Sequence, residues 1–358
     1  MRIGIDAREL CGRATGAGRY LGGLLSAWAS DEQARRHSFV LYTPESLTIR
    51  LDARRFPTRL VPRAPGVWWE QVRLPRVAAT DHLDLFFAPA YTAPLALRVP
   101  TVVAIHDVSF VAHPEWFTTR EGIRRRWLTR RAAQKARAVL TISDFSRGEL
   151  IARLGVPAAR IHVVPPGISA RSASVSTPDE PRVLFVGSIF NRRHVPDLIR
   201  AFASVVRAHP RAWLDIVGDN RSYPRQDLRR TIETEQIADR VRCRWFVPDA
   251  DLQSLYARAR AFAFLSEYEG LGLTPLEALA AGAPPVLLDT PVAHESCGDA
   301  AVYVPMNDIP AAARALERAL FDEPTRARVL AAAPQVLAKY DWPRLARETL
   351  AVLESAAR

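Results

Sequence analysis

Lysine is almost missing from this sequence: among 49 basic residues, only Lys135 and Lys339 are lysines. The bias towards arginine runs along the whole chain, so an arginine carries meaning only where position and neighbours supply it. Cysteine is scarce too. Cys11, Cys243 and Cys297 lie far apart without metal-ligand spacing. That argues against a disulfide framework or a bound metal and for a reducing compartment. No apolar run is long enough to span a bilayer. The chain opens on RIGID, a strand pattern rather than a charged segment leading into the apolar core of a secretion signal. A cytoplasmic location is expected. No helix-turn-helix, zinc-finger or RNP-type pattern accompanies the basic charge, so no nucleic-acid partner is expected. No GxGxxG closes either first βα turn, which disfavours a dinucleotide oxidoreductase.

The chain has 358 residues, of which 48% are apolar, enough for two domains with cores of their own. Its charge is uneven. Residues 1–180 hold 26 Lys and Arg against 16 Asp and Glu, whereas residues 181–358 hold 23 against 22. Short apolar runs alternate with helical patterns throughout. The strand candidates of the first half are Arg2–Asp6, Phe39–Thr43, Leu83–Ala88, Thr101–His106, Val139–Ser143 and Ile161–Val164. Those of the second are Val183–Gly187, Leu214–Gly218, Val241–Phe246, Ala261–Ser266, Pro285–Asp289 and Ala301–Val304. Amphipathic stretches such as Pro196–Ala208 and Leu252–Ala259 fall between them. Strands alternating with helices predict parallel sheets covered on both faces. The small, polar, Pro-bearing stretch at 171–181 reads as a linker between domains at 1–170 and 182–342. The expected fold is α/β: two Rossmann-like doubly wound parallel-sheet domains facing a central cleft, with ligands at the strand carboxyl ends.

The segment SEYEGLGLTPLEALAAGAPPV, residues 266–286, carries the strongest chemical signal. A buried strand leads into a loop with Glu269, Gly270, Leu271, Gly272 and Leu273, and then into a helix bearing Glu277. Glycines let backbone N–H groups approach a ligand closely, and a helix N-terminus favours an anion such as a diphosphate. Glu277 and Glu269 are placed to accept hydrogen bonds from ribose and sugar hydroxyls. A purely structural reading competes: Thr274-x-x-Glu277 with Pro275 at the first helical position is a capping box. It leaves Glu269, Gly270 and Gly272 unexplained.

This segment resembles the donor-site stretch of the retaining family-four glycosyltransferases of GT-B fold, whose signature is two glutamates with seven residues between them around an EGFGLPPLEA-like core. The resemblance implies that Glu277 contacts the ribose and Glu269 the transferred sugar. FVGSIFNRRHVPDLIRAF, residues 185–202, is similar to the segment that opens the family's donor domain. Gly187 turns the chain there, and Arg192 and Arg193 supply two cations for the diphosphate. Arg193 takes the place of the usual lysine and His194 that of a usual asparagine. Gly16-Ala17-Gly18-Arg19-Tyr20 resembles the family's GxGRY segment, a glycine loop at the donor phosphates, with Arg19 reaching acceptor or phosphate. Ala104-Ile-His106-Asp107 looks like the family's TIHD stretch, which implies a sugar or acceptor contact for His106 and an acceptor-placing role for Asp107. Val67–Gln71, Thr141–Ser146 and Val163–Gly167 read as packing, helix entry and hinge. The final helix, residues 343–358, is expected to pack back on the first domain, as the resemblance implies.

The resemblance implies a retaining hexosyltransferase. Its expected partners are a GDP- or UDP-sugar donor, mannose or glucose first, and a glycan or polyprenyl-linked acceptor. No cofactor is expected, and no metal site either, because arginines replace a divalent ion. The densest basic cluster, Arg124–Arg131 with Trp127 among the cations, suggests peripheral contact with the inner membrane face, and a solvated helix face is the competing reading. A GT-B sugar phosphorylase and a non-catalytic glycan-assembly partner are the rival functions.

Overall fold

A computed structural model describes residues 1–12, 16–47, 49, 51–168 and 180–358. The chain divides into two units, Met1–Gly167 with Tyr340–Arg358, and Ile168–Lys339. Most of the linker stretch expected at 171–181 lies outside the described residues.

The first unit is built on a seven-stranded parallel sheet of order β3-β2-β1-β4-β5-β6-β7. Its strands are β1 Arg2–Asp6, β2 Ser38–Thr43, β3 Thr58–Leu60, β4 Leu85–Ala88, β5 Thr101–Ala104, β6 Ala138–Thr141 and β7 Ile161–Val163. Six fall within or overlap the sequence candidates. The seventh, β3, is TRL with all three residues exposed at the sheet edge. It has no apolar run, so periodicity has nothing to detect. Several expected strands end early. Thr101–His106 stops as a strand at Ala104, which puts His106 in the loop at the carboxyl end.

The C-terminal helix Trp342–Ala357 belongs to this unit. Its buried face (Leu345, Ala346, Leu350, Leu353) joins the core formed by the helix Gly16–Ser30 and β1. The Trp28 indole donates to the Ala346 carbonyl at 2.9 Å. The ring of Trp342 lies against Gly23 and Gly167 so closely that a Cβ on Gly23 would come within 2.1 Å of it. The expected hinge glycine at 167 gives packing space to this aromatic ring, and the first unit's main stretch ends at it. Of the other two minor readings, helix entry is seen directly: Ser143 caps the helix Asp144–Leu154 by accepting from the Ser146 amide at 3.0 Å.

The second unit has a six-stranded parallel sheet of order β10-β9-β8-β11-β12-β13. Its strands are β8 Arg182–Val186, β9 Trp213–Val217, β10 Val241–Arg244, β11 Ala261–Phe264, β12 Pro285–Leu288 and β13 Val302–Val304. Strands buried on both faces, such as AFAF in β11, are what a parallel sheet covered by helices requires. In each sheet the strand order reverses at one place, between β1 and β4 in the first and between β8 and β11 in the second. Loops leaving the two strands diverge there and open a crevice at the carboxyl ends.

Candidate active site

In the second unit the chain after β8 turns through Gly187 at φ 149°. A Cβ on Gly187 would meet the Arg193 guanidinium at 2.5 Å, and one on Gly218 would meet the Gly187 carbonyl at 1.9 Å. Bare backbone on both sides lets the β8 and β9 loops touch, and the turn brings Arg192 and Arg193 back over the strand end. Arg193 Nε donates to Glu269 Oε1 at 2.8 Å, and its Nη1 donates to the Ser188 carbonyl at 2.8 Å. Ser266 Oγ donates to the same Glu269 oxygen at 2.8 Å. The Arg192 guanidinium stacks 4.3 Å from the centroid of the Phe190 ring. Arg193 and Glu269 are only 13% and 16% exposed. Burial pushes the Glu269 carboxyl up. The charges of Arg193 and Arg192, with hydrogen bonds from Arg193 and Ser266, more than offset that and hold it below the usual range. Glu269 is thus an anion and a hydrogen-bond acceptor, unsuited to act as a general acid.

The helix after β11 spans Leu273–Ala280 and takes Gly272 as its N-cap, in the left-handed region at φ 92°, without a side-chain cap bond. The capping-box reading is therefore corrected. Thr274 and Pro275 sit inside the first turn, one and two residues past the helix start, and Glu277 falls in the second turn rather than the first. The glycine makes the sharp entry that a Thr N-cap would otherwise have made. Glu277 is oriented from a neighbouring helix, Asp249–Arg258, by Tyr256, whose hydroxyl donates to Glu277 Oε2 at 2.9 Å. Gly270 and Leu271 are buried in the loop, and Leu273 is the first helical residue.

In the first unit, Gly16 and Gly18 lie in the first turn of the helix Gly16–Ser30, and Arg19 follows one residue later. The expected glycine loop is thus a helix start, and the residues just before it, 13–15, lie outside the described residues. His106 is buried. Its Nε2 donates to the Pro89 carbonyl at 2.8 Å, with the Tyr20 ring edge-on 4.9 Å away. Burial holds its pKa below the usual value, so the ring is neutral near pH 7. Asp107 accepts from the Tyr91 hydroxyl at 2.7 Å and the Ser109 amide at 2.8 Å.

Sequence reasoning passed over a third group. Arg8 Nη2 donates to Glu70 Oε1 at 2.6 Å and lies 3.1 Å from Asp6 Oδ2, and Thr92 Oγ1 donates to Glu70 at 2.5 Å. Asp6 ends β1 and Thr92 follows β4, so the cluster sits at the reversal of the first sheet. Glu70 lies in a π-helical turn, Trp69–Arg73, within the segment read as packing. The signal available was an acid amid tryptophans, in a stretch too apolar to leave it unpaired. Tyr256 and Ser266, which orient the two predicted glutamates, were missed as well.

Residues 14–171 match Glycosyltransferase Family 4, and residues 169–336 match Glycosyl transferases group 1. The O-antigen chain mannosyltransferase B of Escherichia coli is 28% identical over 338 residues, covering 90% of this chain and 84% of that protein. The chain belongs to the group 1, family 4 glycosyltransferases.

A second relative of this glycosyltransferase is the GDP-mannose:cellobiosyl-diphosphopolyprenol alpha-mannosyltransferase of Xanthomonas oryzae pv. oryzae, 27% identical over 253 residues, which cover 70% of this chain and 64% of that one. Among solved structures, Anabaena HepE in complex with UDP and glucose superposes with a TM-score of 0.78 at 20% identity, covering 99% of this chain and 100% of that one. That likeness shows the GT-B fold. The enzyme is a nucleotide-sugar-dependent hexosyltransferase. Among its described residues no helix is long and apolar enough to cross a membrane.

Proposed function

We propose that the enzyme moves a hexose, with retention of anomeric configuration, from a nucleoside-diphosphate sugar to a glycan or polyprenyl-linked acceptor. Mannose from GDP-mannose is the first choice, because two relatives are named as mannosyltransferases and one of them takes GDP-mannose. UDP-glucose is the second choice. The observation that carries the reading is the Arg193–Glu269 pair at the reversal of the second sheet. Glu269 accepts hydrogen bonds from hydroxyls of the transferred sugar. Arg192 and Arg193, with the backbone around Gly187 and the helix start at Gly272 and Leu273, neutralise the diphosphate. Glu277, oriented by Tyr256, accepts from the ribose.

An ionised Glu269 already paired with arginine is a poor nucleophile. Front-face displacement suits it better. The bond from the anomeric carbon to the diphosphate breaks, the acceptor oxygen bonds to the same face of that carbon, and the acceptor proton passes to a departing phosphate oxygen. The two arginines stabilise the charge growing on that leaving group, which removes the need for a divalent metal. In the first unit, neutral His106 and Asp107 line the acceptor side, with Arg19 near them in the reading carried over from the family.

A thermal-shift screen against GDP, UDP, ADP and their sugars, run beside Glu277→Ala, tests the donor site. Ligand at a hundred times its dissociation constant adds about 2.7 kcal/mol to native stability. Stabilisation by one nucleotide, absent in the variant, is the expected result. A folded protein that answers to no nucleotide refutes the site. NMR of the product's anomeric proton tests retention, and activity that survives EDTA tests the metal-free reading.

A further inference from the structure

We infer that the outward face of the helix Thr119–Lys135 docks the enzyme on an anionic lipid surface. The helix is amphipathic in an unusual sense. Leu128, Thr129, Ala132 and Ala133 face the core of the first unit and are buried. The opposite side is a stripe at intervals of three and four residues: Arg120, Ile123, Arg124, Trp127, Arg130 and Arg131, all exposed. Ile123 and Trp127, one turn apart, are 56% and 55% exposed. The Arg131 guanidinium lies 5.8 Å from the centroid of the Trp127 ring.

Two properties of this face point to its partner. First, its charge is not compensated by the protein. Among the described residues Arg120, Arg124, Arg130 and Arg131 form no ion pair, and the one acid of the helix, Glu121, is turned to Arg125 at 3.9 Å. Four cations without counter-ions attract an extended anionic surface. Second, two large apolar side chains stand among those cations. A nucleic-acid backbone has little use for an exposed isoleucine. At a bilayer surface Ile123 and the Trp127 ring enter the boundary between headgroups and acyl chains, while the arginines extend to lipid phosphates on either side. A notch lined by Trp127, Arg130, Arg131 and Gln134 offers two guanidiniums and an amide to one phosphate headgroup. The helix is 17 residues long, which at about 1.5 Å per residue lays roughly 25 Å of contact along the membrane plane.

The test is flotation of the full chain with vesicles of phosphatidylcholine alone and of phosphatidylcholine mixed with phosphatidylglycerol, at low and high salt. The protein is expected to float only with the anionic vesicles and to be released by salt. Each arginine near an anionic surface contributes about fivefold in affinity, so Arg124→Gln with Arg130→Gln and Arg131→Gln should weaken binding about a hundredfold. A second variant, Ile123→Ala with Trp127→Ala, keeps the charge and should lose about tenfold or more. Both change exposed positions, and circular dichroism checks that they remain folded. Vesicle binding needs no sugar donor. Glu277→Ala should therefore float like the wild type, so failure at the donor site and failure at this face are read separately. Equal binding to neutral vesicles, binding untouched by both variants, or preference for duplex DNA or RNA over anionic vesicles would each overturn the inference.

Discussion

Asp6 and Glu269 invite comparison, because each is a carboxylate largely shielded from solvent beside an arginine where its own sheet reverses order, and they are driven in opposite directions. Burial pushes Asp6 up to about 6, and Arg8 only partly offsets it, since Glu70 shares that guanidinium and adds its own negative charge. Burial also acts on Glu269, yet its carboxyl is held below the usual range, because Arg193 contacts it directly, Arg192 adds charge and Ser266 donates a hydrogen bond. The stoichiometry decides. Two acids around one arginine make a cluster that is close to self-satisfied and clamps the loop after β4 through Thr92. One acid beside two arginines is held ionised by both of them, the balance that the proposed diphosphate site would use. The first reversal holds its own loops; the second, on the function proposed above, holds an anion.

The largest effect is expected in the first unit. Arg8→Ala leaves Asp6 and Glu70 buried together without a counter-ion, and should cost about 3–5 kcal/mol in a denaturant titration. Adding Asp6→Asn and Glu70→Gln should restore much of that. A loss of activity without loss of stability would instead make Arg8 part of the substrate site and break the contrast. In the second unit the emphasis is reversed. Arg193→Ala should lower kcat by about 10²–10³, the scale of losing one preorganised donor to a developing oxyanion. Arg193→Lys should recover part of it, because one ammonium cannot bond Glu269 and the Ser188 carbonyl with the same fork. If Arg193→Ala reduced stability while leaving kcat intact, the pair would be no more than a strut.

The acids themselves give the third comparison. Asp6 is protonated more readily in the fold than in the unfolded chain, so it favours the fold most fully below about 4 and its contribution is lost as pH rises to about 6. The rise from an ordinary aspartate value corresponds to roughly 3 kcal/mol of stability at most across that window. Asp6→Asn should flatten the stability profile there. Glu269 has the opposite sign: its contribution is full above its unfolded value and is lost as pH falls through the folded one. Glu269→Gln should remove a loss of stability at acid pH, and a profile unchanged by both substitutions would refute the charge stoichiometry.

The two units were not equally legible. The buried strands read directly, because a strand covered on both faces must be a continuous apolar run, as AFAF and LFFA are. The edge strand Thr58–Leu60 did not, since nothing buries it. The residues proposed for the donor side were legible because Glu269, Gly272 and Glu277 fall within one short segment whose order of strand, loop and helix is local. Their helix boundary was misread: Thr274 looks like a cap in sequence, but the left-handed backbone at Gly272 starts the turn earlier. Arg8, Glu70 and Thr92 were illegible for the opposite reason. They are 62 and 22 residues apart in sequence, and only the strand order brings them together. The partners Tyr256 and Ser266 were hidden likewise, a phenol and a hydroxyl whose roles depend on which carboxylate they face.

The smallest effect belongs to His194, which stands where relatives by resemblance carry asparagine. Its backbone is left-handed, φ 46° and ψ 38°, just ahead of the helix Val195–Ala208. Asn is among the few side chains that accept that conformation readily, so His194→Asn changes the titration and spares the turn. The imidazole Nδ1 lies 3.2 Å from Asp197 Oδ2, and Nε2 lies 3.5 Å from Glu267 Oε2. The hydrogen bond to Asp197 raises the histidine pKa, burial opposes this, and Glu267 adds to the rise. Because the folded value lies above the unfolded one near 6.5, the stabilisation is fully present below that pH and is lost as pH rises through the folded value. Glu267 also donates its backbone N–H to the Arg192 carbonyl at 3.0 Å, so the histidinium ties the arginine loop to the loop bearing Glu269. Donor KM in the wild type should therefore rise as pH climbs past the histidine's pKa, and in His194→Asn it should be flatter over the same range. A donor KM with the same pH dependence in both proteins would assign His194 to the turn alone and leave the charge coupling of the two loops to Arg192 and Arg193.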